Sequence, residues 1–144
     1  MSIKQISVFL ENKPGSLNRM TDALAKNNID MRALSMAETK DFGIVRMIVD
    51  DVYKATNVLQ EENFVASLTS VLAFEIPDEP GGLSKLLAKF TDAKVNIDYM
   101  YAFLGGKNIN HAYMIFRVTD TKTAEAALAG KGLISLSQEE MADI

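Results

Sequence analysis

The chain has 144 residues, 48% of them hydrophobic, and 15 Lys plus Arg against 19 Asp plus Glu give a formal net charge of −4. This is the composition of a folded globular protein, large enough for one average domain or two of about 70 residues, a size near the lower limit for a private core. The absence of Cys and the single histidine, His111, exclude disulfides, thiol nucleophiles, Cys-ligated zinc, iron–sulfur clusters and paired-His catalysis.

Ile3–Leu10 is an apolar run closed by Glu11-Asn12-Lys13-Pro14, which predicts a strand. From Gly15 to Lys26, Leu17, Met20 and Leu24 recur at i, i+3 and i+7, the stripe of an amphipathic helix, and Asn27-Asn28 ends it. Ile29–Glu38 alternates, with Ile29, Met31, Ala33 and Ser35 expected on one face of a strand. Lys40-Asp41-Phe42-Gly43 turns the chain into the β-branched strand Ile44–Asp50. Asp51–Glu62 places Val52, Ala55 and Leu59 on one helical face, with Asp50 or Asp51 at the N-cap, and Phe64–Thr69 is a short last strand. The order β-α-β-β-α-β is that of a ferredoxin-like unit.

The second half reads the same way. Ser70–Ile76 is a strand and Gly82–Ala93 a helix that turns Leu83, Leu86, Leu87 and Phe90 inward. Val95–Leu104 and His111–Thr119 form a hairpin, Thr121–Ala129 an Ala-rich helix stopped by Gly130 and Gly132, and Leu133–Leu136 the last strand. Gln138-Glu139-Glu140-Met141 reads as a short turn covering an edge.

The two halves are copies. Pro14-Gly15-Ser16-Leu17 and Pro80-Gly81-Gly82-Leu83 lie 66 positions apart, and the register runs ungapped from Pro14–Met36 to Pro80–Ala102. Conservative pairs such as Met20/Leu86, Leu24/Phe90, Ile29/Val95 and Met31/Ile97 fall on the apolar positions. Beyond them the offset becomes 69, pairing Asp51 with Asp120, Ala55 with Ala124 and Leu59 with Leu128, which puts a hairpin insertion near Gly105-Gly106-Lys107-Asn108. The expected fold is therefore α+β, two ferredoxin-like βαββαβ units over residues 1–69 and 70–144. With no Gly/Ser linker between them, they are expected to pack together with their sheets side by side.

Chemistry centres on the two Pro-Gly turns. A helix that begins behind a glycine loop presents unpaired N–H groups and partial positive charge, a receptor for an anion such as a carboxylate. The simpler reading of each turn, Pro and Gly easing a strand into a helix, accounts for one such dipeptide better than for two in register.

Asn12-Lys13-Pro14-Gly15-Ser16-Leu17, followed by Asn28-Ile29-Asp30-Met31, resembles the ACT-domain signature. Asp78-Glu79-Pro80-Gly81-Gly82-Leu83, followed by Val95-Asn96-Ile97, matches it more fully. The resemblance covers essentially the whole chain, twice. It implies non-catalytic binding of a free L-amino acid at the interface between the two units, in a small-molecule sensor or regulatory module with no cofactor and no metal. Carried over position by position, the ligand-binding residues are Asn12, Pro14, Gly15, Ser16, Leu17, Asp30 and Met31 in the first unit. In the second they are Asp78, Pro80, Gly81, Gly82, Leu83, Asn96 and Ile97. The first unit departs from the pattern with Asp30 where Asn is usual, which puts equal occupancy of the two sites in question. A ligand held through its backbone leaves its side chain to the interface, where Met31, Met36, Met100 or Tyr101 are the candidates to define selectivity, against the simpler role of core packing. The expected partners are the amino acid, a second copy in a homodimer and a regulated enzyme on a separate chain.

Other features weigh less. His111 reads as an edge residue, and the pairs Asp50-Asp51 and Glu139-Glu140 as helix caps or solvated faces. Lys40–Met47 imitates an RNA-recognition signature, but Asp41, Ile44 and Met47 replace residues its stacking platform needs. With a pI near 5, no basic tract, no signal-peptide core at the N-terminus and no apolar run long enough to span a bilayer, the expectation is a cytoplasmic protein with neither nucleic-acid nor membrane partner. A small enzyme acting on an acyl or phosphate group through Arg46 or Arg117, and a ligand-free interaction module, stand as the alternatives.

Overall fold

The computed structural model of the chain describes residues 2–103 and 106–144. Two compact units emerge: one over Lys4–Thr69, the other over Ser70–Ile144 together with the first residues of the chain.

The N-terminal unit contains β1 (Ile3–Glu11), α1 (Ser16–Lys26), β2 (Met31–Glu38), β3 (Phe42–Val49), α2 (Val52–Glu61) and the start of β4 (Val65–Pro77). Its strand order is β2-β3-β1-β4, with β3 antiparallel to both β1 and β2. Alternation along β1 puts Ile6, Val8 and Leu10 on the face covered by the helices, where they meet Met20, Leu24, Val45, Met47 and Leu59, all buried.

The C-terminal unit holds the rest of β4, then α3 (Gly82–Asp92), β5 (Ile97–Ala102), β6 (His111–Val118), α4 (Thr121–Ala129) and α5 (Gln138–Asp143), with strand order β4-β6-β5. The fold is α+β and ferredoxin-like in both units. The second core contains three packed aromatic rings, where the first holds Phe64 among aliphatic and Met side chains: Phe90 meets Phe74 with ring centroids 5.8 Å apart and Phe116 at 4.7 Å.

Repetition extends to backbone irregularities. Each copy of the second strand carries a register shift, between Met31 and Ala33 in β2 and between Ile97 and Tyr99 in β5. Each first helix is followed by a left-handed residue, Asn28 (φ 55) and Lys94 (φ 57).

Several expected elements need correction. The bulge in β2 reverses its alternation, so Met31 and Leu34 pack against the helix-side core while Ala33 does not belong to it; Ile29, Met31, Ala33 and Ser35 do not share one face. The strands expected at Phe64–Thr69 and Ser70–Ile76 form one continuous strand, β4. Leu133–Leu136 forms no strand: Gly132 (φ 81) turns the chain out of α4 and Ser137 already caps the next helix, which leaves room for a single backbone bond to β4, Leu136 N–H to Ala73 O (2.8 Å). The expected C-terminal turn is the helix α5, closed by a Ser137/Glu140 capping box and anchored by buried Met141. Leu104 and Gly105, the expected strand end and the start of the expected insertion, lie outside the described residues.

The N-termini of the helices divide into two kinds. Asp51, Asp120 and Ser137 cap α2, α4 and α5, each side chain accepting a backbone N–H of the first turn. Asp120 accepts from the Thr123 hydroxyl (2.8 Å) and its N–H (3.2 Å), and these bonds hold its carboxyl below the usual range. A carboxyl lowered in the folded state contributes stability that is present above its unfolded value and lost as pH falls through the folded one. Asp120→Ala is therefore expected to lower the melting temperature at neutral pH, with the difference from the parent shrinking as pH drops below the carboxylate range. Melting curves of both proteins from pH 7 to pH 2 check this.

Candidate functional site

Helices α1 and α3 are the other kind. Each begins on a glycine in the left-handed conformation, Gly15 and Gly81, both at φ 88, and neither has a side-chain cap. A side chain at φ 88 is strained, so glycine is the residue that permits the turn. An added Cβ at either position would meet nothing within 4 Å, so both turns are open on their Cβ side. The backbone N–H of Ser16 donates to Lys13 O (3.3 Å) and that of Gly82 to Glu79 O (3.0 Å). The next two N–H groups of each helix, on Leu17 and Asn18 and on Leu83 and Ser84, have no partner within an α-helix and no capping side chain.

The loops differ at the following residue. A Cβ on Gly82 would stand 2.3 Å from Pro77 O, whereas its counterpart Ser16 carries a side chain. The C-terminal loop is thus drawn tight against the end of β4, and the N-terminal loop is looser.

In the N-terminal unit the loop borders a cleft of about 660 Å³, a volume typical of small-ligand sites. Ser16 and Lys13 come from the loop, Phe9, Leu10 and Glu11 from the end of β1, Arg19 from α1, Phe42 from β3, and Asn63, Phe64 and Val65 from the entry to β4. Asn63 makes the turn out of α2 with φ 64. Arg19 donates to Glu62 O (3.3 Å) while its guanidinium carbon stands 4.1 Å above the centre of the Phe64 ring. Lys13 Nζ lies 2.8 Å from Glu11 Oε2; this bond, with Arg19 adding to it, holds the Glu11 carboxyl below its usual range.

The expected site residues take different places. Gly15, Ser16, Gly81 and Gly82 form the loops with Pro14 and Pro80. Asn12 donates its side-chain N–H to Glu38 (3.3 Å), and Asp78 donates its backbone N–H to Asn110 O (2.9 Å). Leu17, Met31, Leu83 and Ile97 pack against the two cores. Asp30 lies at the other end of α1 from the Gly15 loop, about 16 Å away by helix length. There it receives Arg32 (3.0 Å), and its N–H donates to Asp50 (3.0 Å). Asn96 stands in the equivalent place, in a shallow depression beside Asp120. Within either unit, then, the length of the first helix separates the glycine loop from the start of the second strand.

Among the residues weighed for chemistry, Asp50 accepts the N–H groups of Asp30 and Asp51, Asp51 caps α2, and Arg117 donates to Ser70 O (3.0 Å). His111 opens β6 with Nδ1 at 3.7 Å from Glu75, and that nitrogen has no hydrogen-bond partner. Among the described residues no cluster of three or more His, Asp or Glu is arranged to hold a metal, and no helix is long and apolar enough to cross a membrane.

The aromatic and cationic lining of the cleft was not among the residues expected from sequence. Its signal is Phe9 and Phe42, apolar residues 44% and 53% exposed near the ends of strands that otherwise bury their large side chains.

Comparison with known proteins adds the following. The family model of the ACT domain pair matches residues 1–144. The crystal structure of protein BT0572 from Bacteroides thetaiotaomicron is 38% identical, with a TM-score of 0.91 over 100% of this chain and 98% of that one. The regulatory subunit of aspartate kinase from Thermus thermophilus, in its ligand-free form, shares the fold with a TM-score of 0.63 at 18% identity, over 90% of each chain. The corresponding subunit from Thermus flavus shares it with a TM-score of 0.60 at 17% identity, over 88% of each. No curated protein sequence matches the chain.

Proposed function

The chain belongs to the ACT domain-pair family of regulatory, small-molecule-sensing modules, and from that premise we propose that it binds a free L-amino acid at its glycine loops and carries no catalysis of its own. The observation that carries this reading is the paired, uncapped start of α1 and α3. Among the described residues three helices are capped by side chains at their N-termini, while the two behind Pro-Gly turns have no side-chain cap for their first N–H groups. A ligand carboxylate satisfies those donors, and the helix dipole favours its charge. Asn12, Asp78 and nearby carbonyls are the acceptors available to its ammonium. Read this way, the loop recognises the part common to all amino acids.

A ligand held so regulates only if it binds one arrangement of the protein better than another. The enzyme that reads out the difference is, on this proposal, a separate chain, and the working form is a homodimer at an intracellular address.

Isothermal titration of the full chain against each of the twenty amino acids tests the proposal. The expected result is saturable heat, with a matching rise in melting temperature, for one amino acid or one chemical class. Absence of both with all twenty sinks it.

A further inference from the structure

We propose that the cleft in the N-terminal unit selects an amino acid with an apolar side chain, branched or aromatic, and that the C-terminal unit does not share this preference; the inference rests on the amino-acid reading of the glycine loops.

It starts from strand registers. In the N-terminal unit Phe9 is paired with Ile44 and Glu11 with Phe42. In the C-terminal unit Glu75 is paired with Tyr113 and Pro77 with His111. The repeat offset equates Phe9 with Glu75 and Glu11 with Pro77, so the registers equate Ile44 with Tyr113 and Phe42 with His111. One place in the fold therefore carries Phe9, Ile44 and Phe42 in the first unit and Glu75, Tyr113 and His111 in the second.

The surroundings follow the same division. Phe9, Phe42 and Val65 are 44%, 53% and 67% exposed on strand positions that alternate away from the helix-side core, and they line the same open cleft as Ser16 at the start of α1. In the second unit Glu75 accepts from the Asn108 amide (3.2 Å) and faces His111 at 3.7 Å. Burial and the Glu75 carboxylate push the Tyr113 hydroxyl above its ordinary range. That spot is thus polar, with Glu75 held by Asn108 and close to His111.

Charge in the first cleft suits a zwitterion whose side chain is apolar. Arg19 is fixed over Phe64 and spends one of its five donors on Glu62 O, and Lys13 and Glu11 stand together at the rim. A ligand carboxylate at the start of α1 lies toward this cationic side, and the side chain is left to the phenylalanines. An acidic or cationic side chain in the same pose would give up water for the Phe9 and Phe42 side chains while Glu11 and Lys13 are already paired with each other, whereas an apolar one loses nothing there.

The experiment is titration of the full chain with L-Phe, L-Leu, L-Ile and L-Met against Gly, L-Ser, L-Asn and L-Lys, repeated on Phe42→Thr and Val65→Thr. Both positions are exposed and both replacements suit a strand, so the fold survives, as melting curves will show. The expected result is roughly tenfold or greater preference for one of the apolar ligands, cut roughly tenfold in at least one variant. Preference for a polar amino acid overturns this inference and leaves the amino-acid reading standing, as does apolar binding that neither variant weakens. Binding of no amino acid overturns both.

Discussion

Phe90→Ala is expected to destabilise the C-terminal unit by about 3–5 kcal/mol, the range for removing a large aromatic from a closed core. Phe90 is 1% exposed and touches both other rings of the cluster, Phe74 edge-on at 5.8 Å and Phe116 tilted at 4.7 Å. Truncation removes the transfer term, two aromatic contacts and the packing around them at once, and rings anchored on β4 and β6 cannot close the void without moving a sheet. At the repeat-equivalent position Leu24 belongs to a core of mostly aliphatic and Met side chains, which change shape more readily than three packed rings. Leu24→Ala is accordingly expected at the lower end of about 2–5 kcal/mol. A domain with roughly 5–15 kcal/mol in hand loses much of its reserve to the Phe90 change. Urea unfolding followed by tyrosine fluorescence checks it, because Tyr99, Tyr101 and Tyr113 lie in the C-terminal unit and only Tyr53 in the other. A shift below about 1 kcal/mol would mean that the ring cluster is not the centre of that core.

The repeat was legible because its marks are local. Pro-Gly at the same turn, and apolar residues at the same helical spacing after it, are written in consecutive residues, and so was the expectation of two ferredoxin-like units. Lost were features decided by a single residue or by strands meeting. An extra residue at Arg32 reverses the faces of β2, and nothing in the composition of Met31–Glu38 announces it. Leu133–Leu136 has strand-like composition, but Gly132 and the Ser137 cap leave it too little length. The glycine loops open α1 and α3, as their Pro-Gly dipeptides announce, yet no local pattern announces the cleft beside the first. It depends on Glu11 being opposite Phe42, and on Asn63 turning Phe64 and Val65 toward the same end of the unit. The signature names residues of the glycine loops and of the starts of β2 and β5, whereas the cleft beside the first loop is lined largely from the end of β1, from β3 and from the entry to β4.

Gly15→Val and Gly81→Val are expected to lower amino-acid affinity by about 10- to 100-fold at whichever loop the ligand occupies, the equivalent of about 1.5–3 kcal/mol for hydrogen bonds to a charged group. The loss has a defined origin. An added Cβ meets nothing within 4 Å at either position, so collision with the protein is not the cause. At φ 88 a β-branched residue is strained by roughly 1–3 kcal/mol, and the loop relieves this by turning its N–H groups away from their present direction. What rotation spares, the valine methyls cover. Gly82→Val would be a poorer test, since its Cβ falls 2.3 Å from Pro77 O and the substitution deforms the end of β4 as well as the loop. Because Gly15 and Gly81 sit in exposed turns, both variants should remain folded with melting temperatures a few degrees below the parent. Comparison of the two also separates the units: if an apolar ligand occupies the cleft beside Phe42, Gly15→Val carries the loss and Gly81→Val leaves that affinity near the parent's. Unchanged affinity in both variants, with the fold intact, would remove the glycine loops from the binding site.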